Sequence, residues 1–145
     1  MRPLAILILL VVIGGGLAMA YVTYRQMETK IVTLVAANEL VDNGQGARCG
    51  DLRFVVEARS VGRWTMLMEQ GQTLSGFLAV EGEERDDIAL RVWSPSNRTV
   101  LLEPTRRHRH EIELAAQVRG DYRFEFDNRH SGFTDKHIVL SACLK

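Results

Sequence analysis

From Asp51 to the C terminus, apolar and polar residues alternate in short runs separated by turn residues, and this rhythm leaves few folds open. Phe54-Val55-Val56 lies in the first run, Trp64, Met66 and Met68 in the second, and Leu74, Gly76, Leu78 and Val80 in the third. Ile88, Leu90 and Val92 follow, then Val100-Leu101-Leu102, then Ile112, Leu114 and Ala116. Tyr122, Phe124 and Phe126, and finally Ile138, Leu140 and Ala142, close the series. A period of two with one polar face is the pattern of antiparallel strands packed on one side only. Gly71-Gln72, Gly82 to Arg85, Ser94 to Asn97, Pro104 to Arg107 and Arg119-Gly120-Asp121 punctuate the runs. Strands at spacings near ten predict an all-β domain, an antiparallel β-sandwich of jelly-roll-like type with seven or eight strands.

The N-terminal part follows another rule. Pro3 to Tyr24 carries no charge, and Leu4 to Ile13 is an unbroken apolar run. As a helix, Pro3 to Tyr24 would measure roughly 33 Å, enough for a hydrocarbon core of about 30 Å. Residues 1–24 are therefore expected to be a transmembrane helix or signal anchor. A cleaved signal peptide is the alternative, with Ala18-Met19-Ala20 as a small-x-small site. The anchor is favoured because the uncharged run continues past that site. Within it, Gly14/Ala18 and Gly16/Ala20 form small-xxx-small pairs that would let another helix pack closely. Residues 25–50 read as a partly helical juxtamembrane connector, with Met27, Ile31, Leu34 and Val35 at helical spacing, ended by Asp42 to Gly46. The sandwich is then expected over residues 51–145.

Charge adds mostly exclusions. Lys+Arg and Asp+Glu are 18 each, so no global charge indicates a nucleic-acid partner. Carboxylates are plentiful, but no acid/base frame, Ser-His-Asp or Cys-His arrangement or phosphate loop is recognisable, so no enzyme and no cofactor are expected.

The order of several segments resembles a known family. Gly71 to Phe77, then Asp87 to Pro95, then Gly120-Asp121-Tyr122-Arg123-Phe124-Glu125-Phe126-Asp127-Asn128, then Ser131 and Lys136 to Leu140 are similar to the GOLD (Golgi dynamics) domain, above all its small prokaryotic relatives. The resemblance covers about residues 60–142. It implies a sandwich with a binding or structural role. Two departures argue against a coat-recruiting cargo receptor: the anchor is N-terminal here, and Glu125 stands where trafficking members carry a cysteine. Bacterial pre-peptidase C-terminal domains have a similar strand pattern.

Two sets of residues stand out within the domain. Cys49 and Cys143 flank it and are expected to form a disulfide in an oxidising compartment, with Cα atoms about 4.4–6.8 Å apart. That places the domain outside the cytoplasm, a choice that the near-tied basic residues around the apolar run leave open. Arg106, Arg107, His108, Arg109 and His110 form a basic stretch expected on a solvated loop, too basic for a divalent cation. Glu83 and Glu84 belong to its acidic counterpart, Glu81 to Asp87. Complementary loops of this kind could contact a partner or another subunit.

These features point to a non-enzymatic membrane-anchored protein-interaction module, an accessory or assembly subunit of a larger membrane complex. Its partners would be the bilayer and other membrane subunits. The alternative is an exported module that binds a small ligand, lipid or glycan, with Trp64 and Trp93 as its anchors.

Overall fold

The structure is a computed structural model that describes residues 30–145 except 37, 84, 85, 97 and 98. Ten strands are present: β1 Lys30–Thr33, β2 Val41–Asp42, β3 Arg48–Val56, β4 Ser60–Met68, β5 Thr73–Val80, β6 Ile88–Trp93, β7 Val100–Arg107, β8 Arg109–Ala115, β9 Gly120–Asp127 and β10 Lys136–Leu144. They form two five-stranded sheets, ordered β1-β4-β9-β6-β7 and β2-β3-β10-β5-β8. Every pairing is antiparallel except β1 with β4. The all-β expectation holds, and each of the eight alternating runs falls in a strand, β3 to β10; Pro104 to Arg107, read as a turn, instead belongs to β7, an edge strand where proline is tolerated, and Arg109 opens β8.

The apolar member of each alternating pair points between the sheets. β9 occupies the centre of the first sheet, so Tyr122, Phe124 and Phe126 lie in the middle of the core, each 2% exposed or less. Across the gap, Phe54 stands 5.4 Å from Phe126 and 5.3 Å from Trp64, and Trp64 stands 5.1 Å from Phe124. Tilted rings at these separations add about 0.5–1.5 kcal/mol per pair beyond simple burial. Leu74, Leu78, Ile138 and Leu140 complete the opposing layer from β5 and β10. Gly76 allows β5 to lie close to β10: a Cβ there would stand 2.1 Å from the Ser141 carbonyl oxygen.

The connector differs from expectation. Ile31, Leu34 and Val35 do not continue a helix: β1 is extended and runs parallel to β4, and the Leu34 N–H donates to the Arg63 carbonyl at 2.7 Å. The three residues do not share a buried face. Leu34 packs on the core, while Ile31 is 53% exposed and Val35 86%. Satisfying the free edge of β4 is what this segment does, and it requires extended backbone. Strands of both sheets are thus already present among residues 30–50, the stretch read as a connector. The expected anchor, with Gly14, Gly16, Ala18 and Ala20, lies outside the described residues. Among the described residues, no helix is long and apolar enough to cross a membrane.

Cys49 and Cys143 are bonded, and they lie inside strands, directly opposed in the β3–β10 ladder. Their Cα atoms are 4.1 Å apart, slightly closer than expected. Direct opposition on antiparallel strands accounts for the short spacing. The bond ties the first long strand to the last across a sequence separation of 94 residues. In the chain-entropy picture, closing such a loop stabilises by at most about 4.6 kcal/mol. Replacing both cysteines by serine is expected to lower unfolding free energy by about 2–4 kcal/mol in denaturant titration. A loss below about 1 kcal/mol would contradict a structural role for the bridge.

Candidate functional site

Most successive long strands alternate between sheets, so their connections collect at the two ends of the sandwich. One end gathers the β3–β4 turn (57–59), the β5–β6 loop (81–87), the β7–β8 connection at His108 and the β9–β10 loop (128–135). The strand registers Lys30↔Ser60, Ala89↔Asp127, Ile88↔Arg107 and Lys136↔Val56 bring all of them together. β1 brings the chain in at this same end.

The predicted acidic and basic stretches meet here within one molecule. Arg106 pairs with Asp87 at 3.0 Å, Lys136 with Asp86 at 2.6 Å, and His130 Nε2 lies 2.8 Å from Asp87 Oδ1. Burial works to raise the Asp87 pKa, but the bond and charge of Arg106, with His130, hold it below the usual carboxylate range. His108 Nδ1 bonds the Asp86 carbonyl at 2.9 Å. Much of the charge expected to face a partner is therefore satisfied internally. Arg109 pairs with Glu111 at 2.9 Å and stacks 3.5 Å over the Phe77 ring; Arg107 is exposed. Glu83 is exposed, its N–H donating to Asp86 at 3.2 Å, and Glu84 lies outside the described residues.

His110 corrects the expectation of a solvated loop. It belongs to β8, is 5% exposed, and its Nε2 bonds the Ile88 carbonyl at 2.8 Å. Because a carbonyl only accepts, the ring carries a proton on Nε2. Among the described residues, no group of three or more His, Cys, Asp or Glu side chains is placed to hold a metal ion.

The residues that sequence reasoning missed lie beside this network. Phe133, in the β9–β10 loop, is 93% exposed, the most exposed of the large apolar residues described. The Arg59 guanidinium lies 5.1 Å from its ring centroid. Arg59 has φ +59°, a left-handed conformation rarely adopted by residues other than glycine, asparagine and aspartate. Several hydrogen bonds hold it there. Arg59 N–H donates to the Ser131 carbonyl at 3.1 Å, Arg59 Nε to the Gly132 carbonyl at 2.9 Å, and Ala58 N–H to Asp135 at 2.8 Å. Asn128, fully buried, directs its amide at the carbonyls of Val56, Glu57 and Thr134 at 3.0–3.1 Å. The turn and the loop are thus one hydrogen-bonded unit presenting Arg59 and Phe133. The available signal for Phe133 was a lone aromatic in a polar stretch outside any alternating run.

The two tryptophans separate. Trp64 packs on the core and lines a groove of about 610 Å³ under the segment linking β1 to β2, with Met66, Leu40 and Arg48. Trp93 is on the outer face of the first sheet, donating to Glu125 at 2.8 Å.

No family model matches this chain, and no curated protein matches it. Among solved structures, its fold is similar to that of Aeromonas hydrophila PliG, a periplasmic lysozyme inhibitor of g-type lysozyme. The two are 18% identical with a TM-score of 0.52, over 81% of this chain and 99% of that one. Salmonella Typhimurium PliG gives 10% identity and a TM-score of 0.44, over 78% and 97% of the two chains. An Escherichia coli PliG mutant gives 13% and 0.41, over 79% and 98%. The first similarity supports the two-sheet architecture.

The loop end has a pH signature. Burial pushes the His110 pKa below the ordinary histidine value of 6.5; the carbonyl bond opposes this and the charge of Arg107 reinforces it. As pH falls through about 6.5, the unfolded chain takes up this proton before the folded one, so folding stability declines. His110→Gln, which keeps a donor for Ile88, is expected to flatten stability against pH between about 7.5 and 5.5 relative to wild type. Parallel curves in denaturant titration would contradict it.

Proposed function

We propose that this chain is an exported, non-enzymatic β-sandwich module that binds another protein through its loop end. The Arg59–Phe133 pair is the observation that carries this reading. An aromatic ring in full solvent contact, stacked with a guanidinium, has the composition of a binding hot spot. The left-handed backbone at Arg59 is a local cost held in place by hydrogen bonds from the neighbouring loop. A site already ordered before contact loses little entropy on binding. The bridge between Cys49 and Cys143 supports an oxidising compartment. The partner proposed is a wall-cleaving glycosidase of the g-type lysozyme class, for which the similarity to Aeromonas hydrophila PliG is the support. The GOLD-like order of segments supports the same general role, binding by a rigid sandwich.

Whether the N-terminal run is retained decides how free this end is. Only residues 25–29 separate Tyr24 from β1, a reach of at most about 18 Å. An uncleaved anchor would hold the loop end near a bilayer, as in a membrane-complex subunit; cleavage would leave it open to a diffusing partner. The intact mass of the native chain distinguishes the two.

The groove beside Trp64 favours a second reading, a site for a small ligand, since its volume lies within the usual range for such pockets. The two readings separate experimentally. The chain is expected to inhibit and co-elute with g-type lysozyme, and Phe133→Ala to weaken that at least tenfold, about 1.4 kcal/mol. Absence of any complex would overturn this partner, and a complex indifferent to Phe133→Ala would overturn the loop end as the contact.

A further inference from the structure

Among the described residues, the outer face of the first sheet carries more arginine than its carboxylates neutralise. The registers Arg63↔Glu125 and Arg91↔Glu125 set two arginines on either side of one carboxylate. The next row opposes Arg123 to Trp93. Glu125 is fully engaged: Oε1 accepts from Arg63 at 3.0 Å and lies 3.3 Å from Arg123, and Oε2 accepts from Trp93. Arg91 sits opposite Glu125 yet has no ion-pair partner among the described residues, and its guanidinium instead lies 5.5 Å from the Trp93 ring. Arg123 lies 5.1 Å from the same ring. Two guanidinium groups thus engage Glu125 and the third, Arg91, is left beside it, on strands whose backbone fixes their spacing.

We infer that this face is an acidic-peptide site, in which Arg91 takes a glutamate or aspartate side chain of a protein partner. Guanidinium forks match carboxylates with two parallel bonds, and the excess positive charge is what such a partner complements. The shape selects a projecting side chain. The charged groups are recessed, with the side chains of Glu125 13%, Arg123 19% and Arg63 33% exposed. Beside Arg91 lies a depression of about 280 Å³ with an apolar lining of Ile31, Val61, Ala89 and Pro104; its two carboxylates are already engaged, Glu125 by Arg63 and Asp127 by Arg129. An acidic residue can lay its methylenes on that lining and reach the guanidinium. This inference does not depend on the partner proposed for the loop end.

Poly-L-glutamate is the probe. The chain has two tryptophans, so Trp64→Phe leaves Trp93 as the sole emitter, placed between the two guanidinium groups. Titration of the full chain is expected to give a saturable change in Trp93 emission that weakens as salt rises from about 20 to 300 mM. Arg91→Ala should reduce affinity at least tenfold and Arg91→Lys less, while Arg53→Ala, at an exposed cation on the other sheet, should alter it less than twofold. Unchanged thermal midpoints would show that each variant is folded. No saturable change, or equal binding by Arg91→Ala, would overturn the site. Binding to phosphatidylglycerol vesicles without binding to poly-L-glutamate would overturn the protein partner in favour of a lipid surface.

Discussion

The buried side-chain amide of Asn128 is the contact on which the loop end depends. It lies at the close of β9 and faces three backbone carbonyls, two at the end of β3 and one in the loop before β10. Each such bond contributes a net of about 0.5–1.5 kcal/mol, but an unpaired buried carbonyl costs more. Removing the amide would take this donor from all three at once, leaving Glu57 only its Ser60 contacts and Thr134 only the Ser131 hydroxyl. Because those carbonyls belong to two different connections, one side chain joins the turn that displays Arg59 to the loop that displays Phe133.

The sandwich makes this possible. Crossing from sheet to sheet sends the connections around the ends, so segments far apart in sequence become neighbours. Residues 57–59 and 128–135 meet for that reason, as do 81–87 and the His108 connection. The same crossings bring the acidic and basic stretches into mutual ion pairs. The charge on the outer face of the first sheet has a different origin. Its charges are spaced by strand register, and Glu125 at the centre cannot neutralise three arginines.

Strands β3 to β10 were legible because each has one wet face, and period-two patterning records that directly. The Cys49–Cys143 bridge was legible from the position of both cysteines at the domain's edges. β1 and β2 were not, because short edge strands carry too few residues to show a period. Ile31, Leu34 and Val35 mimicked a helix face while only Leu34 turned inward. His110 was hidden among Arg107 and Arg109, although counting back by twos from Ile112 places it on the inner face. The pairing of Arg59 with Phe133 had no local signal, since the left-handed backbone at Arg59 is imposed by bonds to residues more than seventy positions away.

The central claim is that the loop end is ordered before any partner arrives, and amide hydrogen exchange on the free chain tests it most directly. The account predicts that the Ala58, Arg59 and Ser131 amides, all bonded within this unit, are protected at least about a hundredfold over an open loop. It also predicts that Asn128→Ala abolishes that protection while the central strands β9 and β10 keep theirs. Exchange of those three amides at open-loop rates in the wild-type chain would contradict it.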